Sequence, residues 1–328
     1  MRLRKSKGSR ERAQRIYFAT DVHGSDRCFR KFVNAADAYD ADVLLLGGDV
    51  AGKALVPVRR ENGGDGGTLT AEVRGQRVSV PAADRDRLFS EINMLGFYPL
   101  EVDGQEIERM AADKEYVESV FRREIITQLE GWCRLAADRL KPEVQCILTP
   151  GNDDPVEIDA VLEAAERIEC PERTLYDLGP ALLASMGDVT PTPWDTEREY
   201  SEEELADRIA AMMDNVPADR TSIVNFHNPP YSSGLDTAPE LDENLRPVLR
   251  GGRPSFIPVG STAVREAIKK YQPSVGLHGH IHESRGAQKI GRTMCLNPGS
   301  EYSADLLRGV IVDLAEDGSC IDFLFTAG

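Results

Sequence analysis

The stretch GLHGHIHES, residues 276–284, holds three of the five histidines of the chain, at every second position. Neutral imidazole is the commonest metal ligand among protein side chains. In an extended backbone, residues two apart point to the same side, so two of these rings can face one site. The same residues would also suit a solvated polar loop at the end of a strand. Metal binding is therefore one of two interpretations here, and the rest of the chain decides between them.

Length and composition limit the possible classes of protein. The 328 residues, 41% of them hydrophobic, can bury a substantial core. No apolar run reaches the ~18 residues of a membrane span. A net charge of −16 argues against sequence-blind binding of long nucleic acids, although a bound metal can reverse the charge locally for a phosphate substrate. The six scattered cysteines contain no CxxC pair, which favours reduced thiols and a cytoplasmic protein.

Short apolar runs closed by Gly, Pro, Asn or Asp predict buried strands at 16–19, 42–46, 144–148, 222–226 and 275–278. Helical patterns between several of them cover 25–38, 115–140, 155–168, 201–215 and 261–271. Strands that alternate with helices predict an α/β core. Further strands at 287–296, 308–313 and 320–325 have no long helical gap between them, which indicates a partly antiparallel sheet.

The chain has no internal repeat and no low-complexity linker, so a single domain is predicted for residues 15–328. The basic residues 1–14 are interpreted as a disordered tail. Two stretches, at about 51–110 and 187–200, do not fit a minimal α/β core and are interpreted as insertions. The first contains a Gly-rich turn at 62–67 and a predicted hairpin at 68–80. Either insertion could be a lid or a rim near a site, or a surface decoration.

Polar residues follow the predicted strands at the point where each one ends. They are Asp21, His23, Asp49, Asn152, His227, His280 and His282. Because ligands bind at the carboxyl ends of strands in α/β sheets, we expect these side chains to converge. Seven nitrogen and oxygen ligands are too many for one tetrahedral zinc and suit two ions with five or six ligands each. The lack of a thiolate favours Mn, Fe, Ni or Zn.

The motifs DVH (21–23), GGD (47–49), GND (151–153), His227 and GHIH (279–282) resemble, in this order, the calcineurin-like metallophosphoesterase superfamily. The pattern of that family is DxH, GD, GN followed by a variable residue and an acid, then His and GHxH. The stretches TPTPW and FHNPPY are similar to its Icc-related branch. The resemblance implies a four-layer α/β/β/α sandwich with mixed sheets and a dinuclear metal centre.

Carried over by position, the resemblance divides the seven ligands into two sets that share one carboxylate. Asp21, His23 and His282 would bind one ion, Asn152, His227 and His280 the other, and Asp49 both. His278 has no place in the pattern and is interpreted as the last residue of its strand. Asp154 would hold a ligand imidazole in the right tautomer.

One departure from the family concerns Asp153. Many relatives have a His at this position, which contacts the phosphate and protonates the leaving group. An ionised Asp would repel phosphate, and it could act as an acid only if burial or a neighbouring carboxylate such as Asp154 raised its pKa well above the usual value. We therefore expect weak protonation of the leaving group, and a preference for phosphodiesters with good leaving groups over alkyl monoesters.

The resulting expectation is a metal-dependent phosphoric ester hydrolase, with a phosphodiester as the preferred substrate and a metal-bound hydroxide as the attacking group. Catalysis is assigned to Asp49, Asn152, Asp153 and His227, with a small phosphate ester or nucleotide-like molecule as substrate. The alternative is a non-catalytic metal-binding scaffold or interaction protein on the same fold. A nuclease subunit is disfavoured by the acidic charge. The natural substrate, the native metals and the oligomeric state are not predicted.

Three more residues are weaker candidates. Lys53 would contact a substrate phosphate or be an ordinary surface lysine. Arg285 would contact the phosphate or form a structural ion pair. Trp194 would be a lid contact or ordinary packing.

Overall fold

The computed structural model describes residues 11–61 and 66–328. The helices in these ranges are α1 (Asp26–Tyr39), α2 (Arg85–Met94), α3 (Gly104–Ala112), α4 (Lys114–Arg139), α5 (Ile158–Glu163), α6 (Glu202–Met213) and α7 (Thr262–Tyr271). The strands are β1 (Gln14–Ala19), β2 (Val43–Gly47), β3 (Ala54–Glu61), β4 (Thr68–Val73), β5 (Gln76–Pro81), β6 (Phe97–Val102), β7 (Gln145–Thr149), β8 (Leu175–Asp177), β9 (Leu182–Met186), β10 (Ser222–Phe226), β11 (Thr237–Pro239), β12 (Leu249–Arg250), β13 (Arg253–Pro254), β14 (Phe256–Pro258), β15 (Val275–Leu277), β16 (Gly286–Ile290), β17 (Thr293–Asn297), β18 (Arg308–Leu314) and β19 (Cys320–Ala327).

Two mixed sheets form the centre of the protein. The first has the order β19-β18-β1-β2-β7 and the second the order β16-β17-β15-β10-β9-β8. In the first sheet β1, β2 and β7 are parallel, and β18 is antiparallel to both of its neighbours. In the second sheet β9, β10, β15 and β17 are parallel, with antiparallel strands at both edges. The carboxyl ends of the parallel strands in each sheet therefore lie along one edge.

Alternating side chains on each strand divide the interior into layers. In β1, Ile16 and Phe18 pack against the second sheet, whereas Tyr17 and Ala19 pack against helices of the first layer. On the far side, Val224 of β10 packs against α6 and α7. The predicted order of helices, sheet, sheet and helices is confirmed.

Helix starts follow simple capping rules. The side chain of Ser25 accepts the backbone N–H of Cys28 and caps α1, and a capping box of Ser201 and Glu204 starts α6. These caps set where the loops end and the helices begin.

The insertion at 51–110 is a small unit with its own sheet, in the order β5-β4-β3-β6. The predicted hairpin at 68–80 corresponds to β4 and β5. A separate core beneath it contains Val58, Leu69, Leu88 and Ile92. Most of the predicted Gly-rich turn, residues 62–65, lies outside the described residues.

Two element predictions were wrong in detail. The strand predicted at 287–296 is a hairpin of β16 and β17, which turns at Gly291 with a φ of 62°. The helix predicted at 155–168 is only the six-residue α5, because the chain after it extends to pair beside β7, where Glu169 bridges Ile147.

The predicted tail, residues 1–14, lies mostly outside the described residues. Its last part is in the first sheet: Ala13 donates its N–H to Leu314, and Gln14 begins β1. The single-domain division from residue 15 stays a prediction. None of the helices in the described part of the chain is both long and apolar enough to cross a membrane.

Candidate metal centre

The loops that follow five parallel strands bring all seven predicted ligands together. Asp21 and His23 follow β1, Asp49 follows β2, Asn152 follows β7, His227 follows β10, and His280 and His282 follow β15. Six of them form two compact Asp/His groups that share Asp49. The site lies where the carboxyl edges of both sheets meet.

The first group contains Asp21, His23, Asp49 and His282, whose candidate ligand atoms lie within 4.8 Å of one another. His23 Nε2 is 3.1 Å from His282 Nε2 and 3.6 Å from Asp49 Oδ2. His282 Nε2 is also 3.3 Å from Asp21 Oδ1. The backbone N–H of His280 donates to the Asp21 carboxylate and holds it in place. Two facing imidazole nitrogens with two carboxylates around them form a cavity suited to a cation.

The second group contains Asp49, His227 and His280. His227 Nδ1 is 3.0 Å from the carbonyl oxygen of Gly47, and a carbonyl accepts only from a protonated nitrogen. The other nitrogen, Nε2, therefore presents a lone pair in the neutral ring. It has no hydrogen-bond partner and lies 3.3 Å from Asp49 Oδ1 and 3.8 Å from Asp21 Oδ1. A lone pair facing two carboxylate oxygens is unfavourable unless a proton or metal ion lies between them.

Asn152 offers a neutral oxygen beside this group. Its Nδ2 donates to Thr196 Oγ1 at 3.0 Å, and the Thr196 hydroxyl donates in turn to Glu199. This orientation leaves the buried Oδ1 of Asn152 without a hydrogen-bond partner. An unpaired buried amide oxygen is costly, and a metal ion would satisfy it. The sequence gives no signal for the role of Thr196, which lies 44 residues after Asn152.

The charge balance of the site favours cations. Burial opposes a charge on His227, but the carboxylates of Asp49 and Asp21 raise its pKa to about 10. A site that holds a proton this firmly has an excess of negative potential, which a divalent ion can offset in place of the proton. The donor set, the unpaired buried atoms and the shared carboxylate all fit divalent metal ions.

Several candidate ligands have a left-handed backbone. The φ angles are 55° at Asp21, 40° at His23, 51° at Asp49 and 64° at His280. Such conformations cost roughly 1–2 kcal/mol for residues other than Gly. Strain of this kind persists where the surrounding structure enforces it, and it is concentrated at functional sites. Gly48, with a φ of 114°, has no room for a side chain because a Cβ there would meet the ring of His227.

Asp153 is the position at which the sequence departs from the pattern of the family that its motifs resemble. Its Oδ2 is 3.3 Å from Lys53 Nζ and 3.8 Å from His23 Nδ1, and its backbone N–H donates to Asp49. Burial and the Asp49 carboxylate raise the pKa of Asp153 to about 6. Lys53 is thus an ion-pair partner at the edge of the site rather than an isolated surface lysine.

Asp154 does not contact a ligand imidazole, so the role predicted for it was wrong. Its buried carboxylate accepts the backbone N–H groups of Val50, Ala51 and Gly151, at 3.0, 2.6 and 2.7 Å. Carboxylates are good acceptors for several backbone donors at once. Asp154 therefore ties the loop after β2 to the loop after β7, and so fixes Asp49 relative to Asn152.

The structure also places His278 and Arg285, which the sequence analysis named, and one residue that it did not name. His278 is outside both Asp/His groups; its N–H donates to Leu296 and continues the ladder of β15, and its Nδ1 contacts the Phe226 carbonyl at 2.7 Å. The guanidinium of Arg285 lies over the Phe325 ring, 4.7 Å from its centroid, and does not line the cavity described below. Tyr302, which sequence reasoning missed, packs its ring 4.9 Å from that of His23.

A cavity of about 980 Å³ opens beside the candidate ligands. Its wall is formed by α4, by residues 190–197 and by the β11–β14 ribbon. The insertion at 187–200 therefore lines the site, as one interpretation of the sequence expected. Among the described residues of the insertion at 51–110, Gly52 and Lys53 are the ones that line the cavity.

Arg198 anchors the 187–200 insertion and is only 1% exposed. Its guanidinium donates to the carbonyls of Asp154 and Pro155 and to the carboxylate of Asp159. Because Asp154 follows the GND motif directly, Arg198 connects the cavity wall to the loop that carries Asn152.

Glu172 supports the start of the same insertion. The buried carboxyl accepts the N–H of Gly187, and burial raises the pKa of Glu172 to about 8. The unfolded chain ionises this group near pH 4.3, so stability falls as the pH rises from there to about 8. We expect a Glu172→Gln variant to lose this dependence and to gain at least about 1 kcal/mol relative to the wild type between pH 5 and pH 8. Urea unfolding of both proteins at the two pH values measures the gain, and equal changes in both proteins would contradict it.

Comparison with known proteins agrees with this architecture. No protein-family model matches the chain. A curated relative, the uncharacterized protein MJ1162 of Methanocaldococcus jannaschii, is 28% identical over 175 residues, which are 52% of this chain and 71% of the relative. The solved structure of TT1561 of Thermus thermophilus has a TM-score of 0.52 and 16% identity over 95% of this chain and 98% of that one. Another solved structure has a TM-score of 0.58 and 15% identity over the same shares.

At these identities the likeness to solved structures concerns the fold. The chain has a metallophosphoesterase-like fold, a four-layer α/β/β/α sandwich with mixed sheets.

Proposed function

We propose that this protein is a dinuclear metal-dependent phosphoesterase that hydrolyses a small phosphate ester, with a phosphodiester as the preferred substrate. The observation that carries the proposal is the pair of Asp/His groups that share Asp49 at one end of a large cavity. A cavity with convergent polar groups at one end is the usual form of an active site.

The proposed ligands follow the two groups. Asp21, His23 and His282 would hold one ion, Asn152, His227 and His280 would hold the other, and Asp49 would be shared. Nitrogen and oxygen donors suit Mn, Fe, Ni or Zn. When bound, two such ions acidify water and offset negative charge on a phosphate.

The residues of the chain position and charge the site. The neutral amide of Asn152 leaves the centre a net positive charge for an anionic substrate, and the lysine beside Asp153 adds a cation at its edge. In the reaction a water oxygen bonds to phosphorus, the bond from phosphorus to the leaving oxygen breaks, and a proton passes to that oxygen. Although the pKa of Asp153 is raised to about 6, the group is mostly ionised above this pH and paired with Lys53, so near neutral pH it is a poor source of this proton. This supports a preference for leaving groups that depart as anions.

Replacing Asp153 with His tests this preference. We expect the Asp153→His variant to hydrolyse esters with poor leaving groups at least several-fold faster, because a neutral or protonated imidazole can contact phosphate and donate a proton. The measurement is kcat/KM for aryl phosphate diesters over a range of leaving-group pKa. An unchanged slope of rate against leaving-group pKa would count against the proposal.

The whole activity is tested by hydrolysis of bis-p-nitrophenyl phosphate, with metal content measured on the same sample. Protein loaded with Mn is expected to release p-nitrophenol. Bound metal without turnover for Mn, Fe, Ni and Zn alike would favour a metal-binding scaffold instead. If no metal binds, both the metal-dependent phosphoesterase and the metal-binding scaffold are wrong.

A further inference from the structure

The cavity is much larger than a phosphate group requires. Its volume of about 980 Å³ lies at the upper end of the roughly 300–1,000 Å³ typical of small-molecule sites. Among its lining residues, four are candidate ligands: Asp49, Asn152, His280 and His282. The rest of the wall must contact whatever is attached to the phosphate, so its chemistry indicates the class of substrate.

Large apolar side chains form much of this remaining wall. Phe121 and Ile125 come from α4, Trp194 from the 187–200 insertion, and Leu241 and Ile257 from the region of the β11–β14 ribbon. Trp194 is 62% exposed and Ile257 37% exposed. Large apolar groups that meet water on a concave surface mark a binding site, because an apolar ligand would remove them from water.

The charges on the same wall are mostly negative. Its carboxylates away from the candidate ligands include Glu118, Asp195, Glu197 and Glu283. The guanidinium of Arg122 is already paired with Glu157 and Glu197. Lys53 lies at the metal end with its own carboxylate partner. An anionic group attached to the phosphate would therefore meet carboxylates without a spare cation on the described wall.

We infer that the substrate is a phosphate ester in which the phosphate is joined to a large, uncharged apolar group that packs against Trp194, Phe121 and Ile257. The inference rests on the proposed function for the position of the phosphate. The acidic residues select against a negatively charged substituent, and the apolar residues supply affinity for an apolar one.

The two tryptophans allow binding to be measured without catalysis. Trp132 is 3% exposed and stacked on Phe29, so its fluorescence is a constant background, whereas Trp194 is exposed in the cavity. Zn-loaded protein is titrated with octylphosphonate, whose carbon–phosphorus bond is not an ester. We expect a saturable shift of emission to shorter wavelength. Methylphosphonate should give no shift, and a Trp194→Phe variant should lose the shift seen with octylphosphonate.

Matched diesters measure the same preference in turnover. The p-nitrophenyl diesters of methyl, octyl and 7-carboxyheptyl phosphate have the same leaving group. We expect kcat/KM for the octyl ester to exceed that for the methyl ester by at least about tenfold. The carboxyheptyl ester, which has a similar chain with a charged end, should lose most of this advantage.

Two variants test whether the preference for the octyl ester arises from the cavity wall or from other parts of the surface. Trp194→Ala is expected to reduce the octyl-to-methyl ratio by roughly tenfold. Leu324→Ala is the matched control, because Leu324 is also 62% exposed but lies on β19 outside the cavity, and its ratio should not change.

The outcomes distinguish this inference from the proposed function. Hydrolysis of all three esters at equal kcat/KM, with no shift in Trp194 emission, would overturn the inference and leave the phosphoesterase. Failure to hydrolyse any of the esters, with a shift caused by octylphosphonate, would overturn the proposed activity and keep the apolar site.

Discussion

An Asp49→Asn variant is expected to hydrolyse bis-p-nitrophenyl phosphate at least about a hundredfold more slowly than the wild type. Asp49 is the one residue shared by both Asp/His groups, so its replacement affects both proposed ions. Asn keeps the size of the side chain and one oxygen, which can still accept the N–H of Asp153. It lacks the negative charge and the second carboxylate oxygen. The loss should therefore appear in kcat and in metal content rather than in the fold.

Thermal unfolding provides a second readout for Asp49→Asn. The metal-free variant should fold but be less stable than the metal-free wild type near pH 7, because burial opposes the Asp49 charge while His227 and His23 hold the pKa of Asp49 well below its usual range, and Asn cannot replace this charge. Added Mn should raise the Tm of the wild type more than that of the variant. Asp177→Asn, at an exposed ion pair with Arg220, is the control and should keep full turnover. An Asp49→Asn protein with turnover within about twofold of the wild type would refute the shared-ligand assignment.

Removal of the Arg198 side chain is expected to lower the free energy of unfolding by about 3 kcal/mol. The guanidinium is buried and satisfies two backbone carbonyls as well as Asp159. In Arg198→Ala the carbonyls of Asp154 and Pro155 lose their donors and a cavity remains. Arg198→Lys should recover only part of the loss, because an ammonium cannot reproduce the planar fork of a guanidinium.

The control for Arg198 is Arg220→Ala, which breaks an exposed ion pair and should cost at most about 1 kcal/mol. Urea unfolding gives all three free energies. Because Arg198 anchors the cavity wall to the loop that carries Asn152, KM for bis-p-nitrophenyl phosphate should also rise in Arg198→Ala. An Arg198→Ala protein no less stable than Arg220→Ala would show that the anchor is dispensable.

The ends of the strands are the part of the molecule that could be predicted best from the sequence. Short apolar runs that end in polar residues are a local pattern, so the positions of Asp21, Asp49 and His227 and the layered fold could be predicted from the chain alone. The roles of these residues as metal ligands stay a prediction until metal is measured.

The remaining features depend on contacts between distant segments, which leave no local pattern. Arg198 donates a hydrogen bond to Asp154, which lies 44 residues earlier in the sequence. Tyr302, near the C-terminal end of the chain, packs on His23, near the N-terminal end. Asp154 was assigned to an imidazole from its motif, but its partners are backbone N–H groups of two loops. The helix predicted at 155–168 ends early because pairing of the following segment beside β7 overrides the helical pattern.

The position of the two Asp/His groups between the sheets has a consequence for folding kinetics. Asp21, Asp49 and Asn152 come from the first sheet, whereas His227 and His282 come from the second, and His23 and His282 are 259 residues apart in sequence. The complete set of donors therefore exists only after the sheets have docked, which is a late event for contacts so distant along the chain. An ion that binds only this docked state slows unfolding and leaves the folding rate nearly unchanged. Metal availability would then govern how long the folded protein persists rather than how quickly it forms.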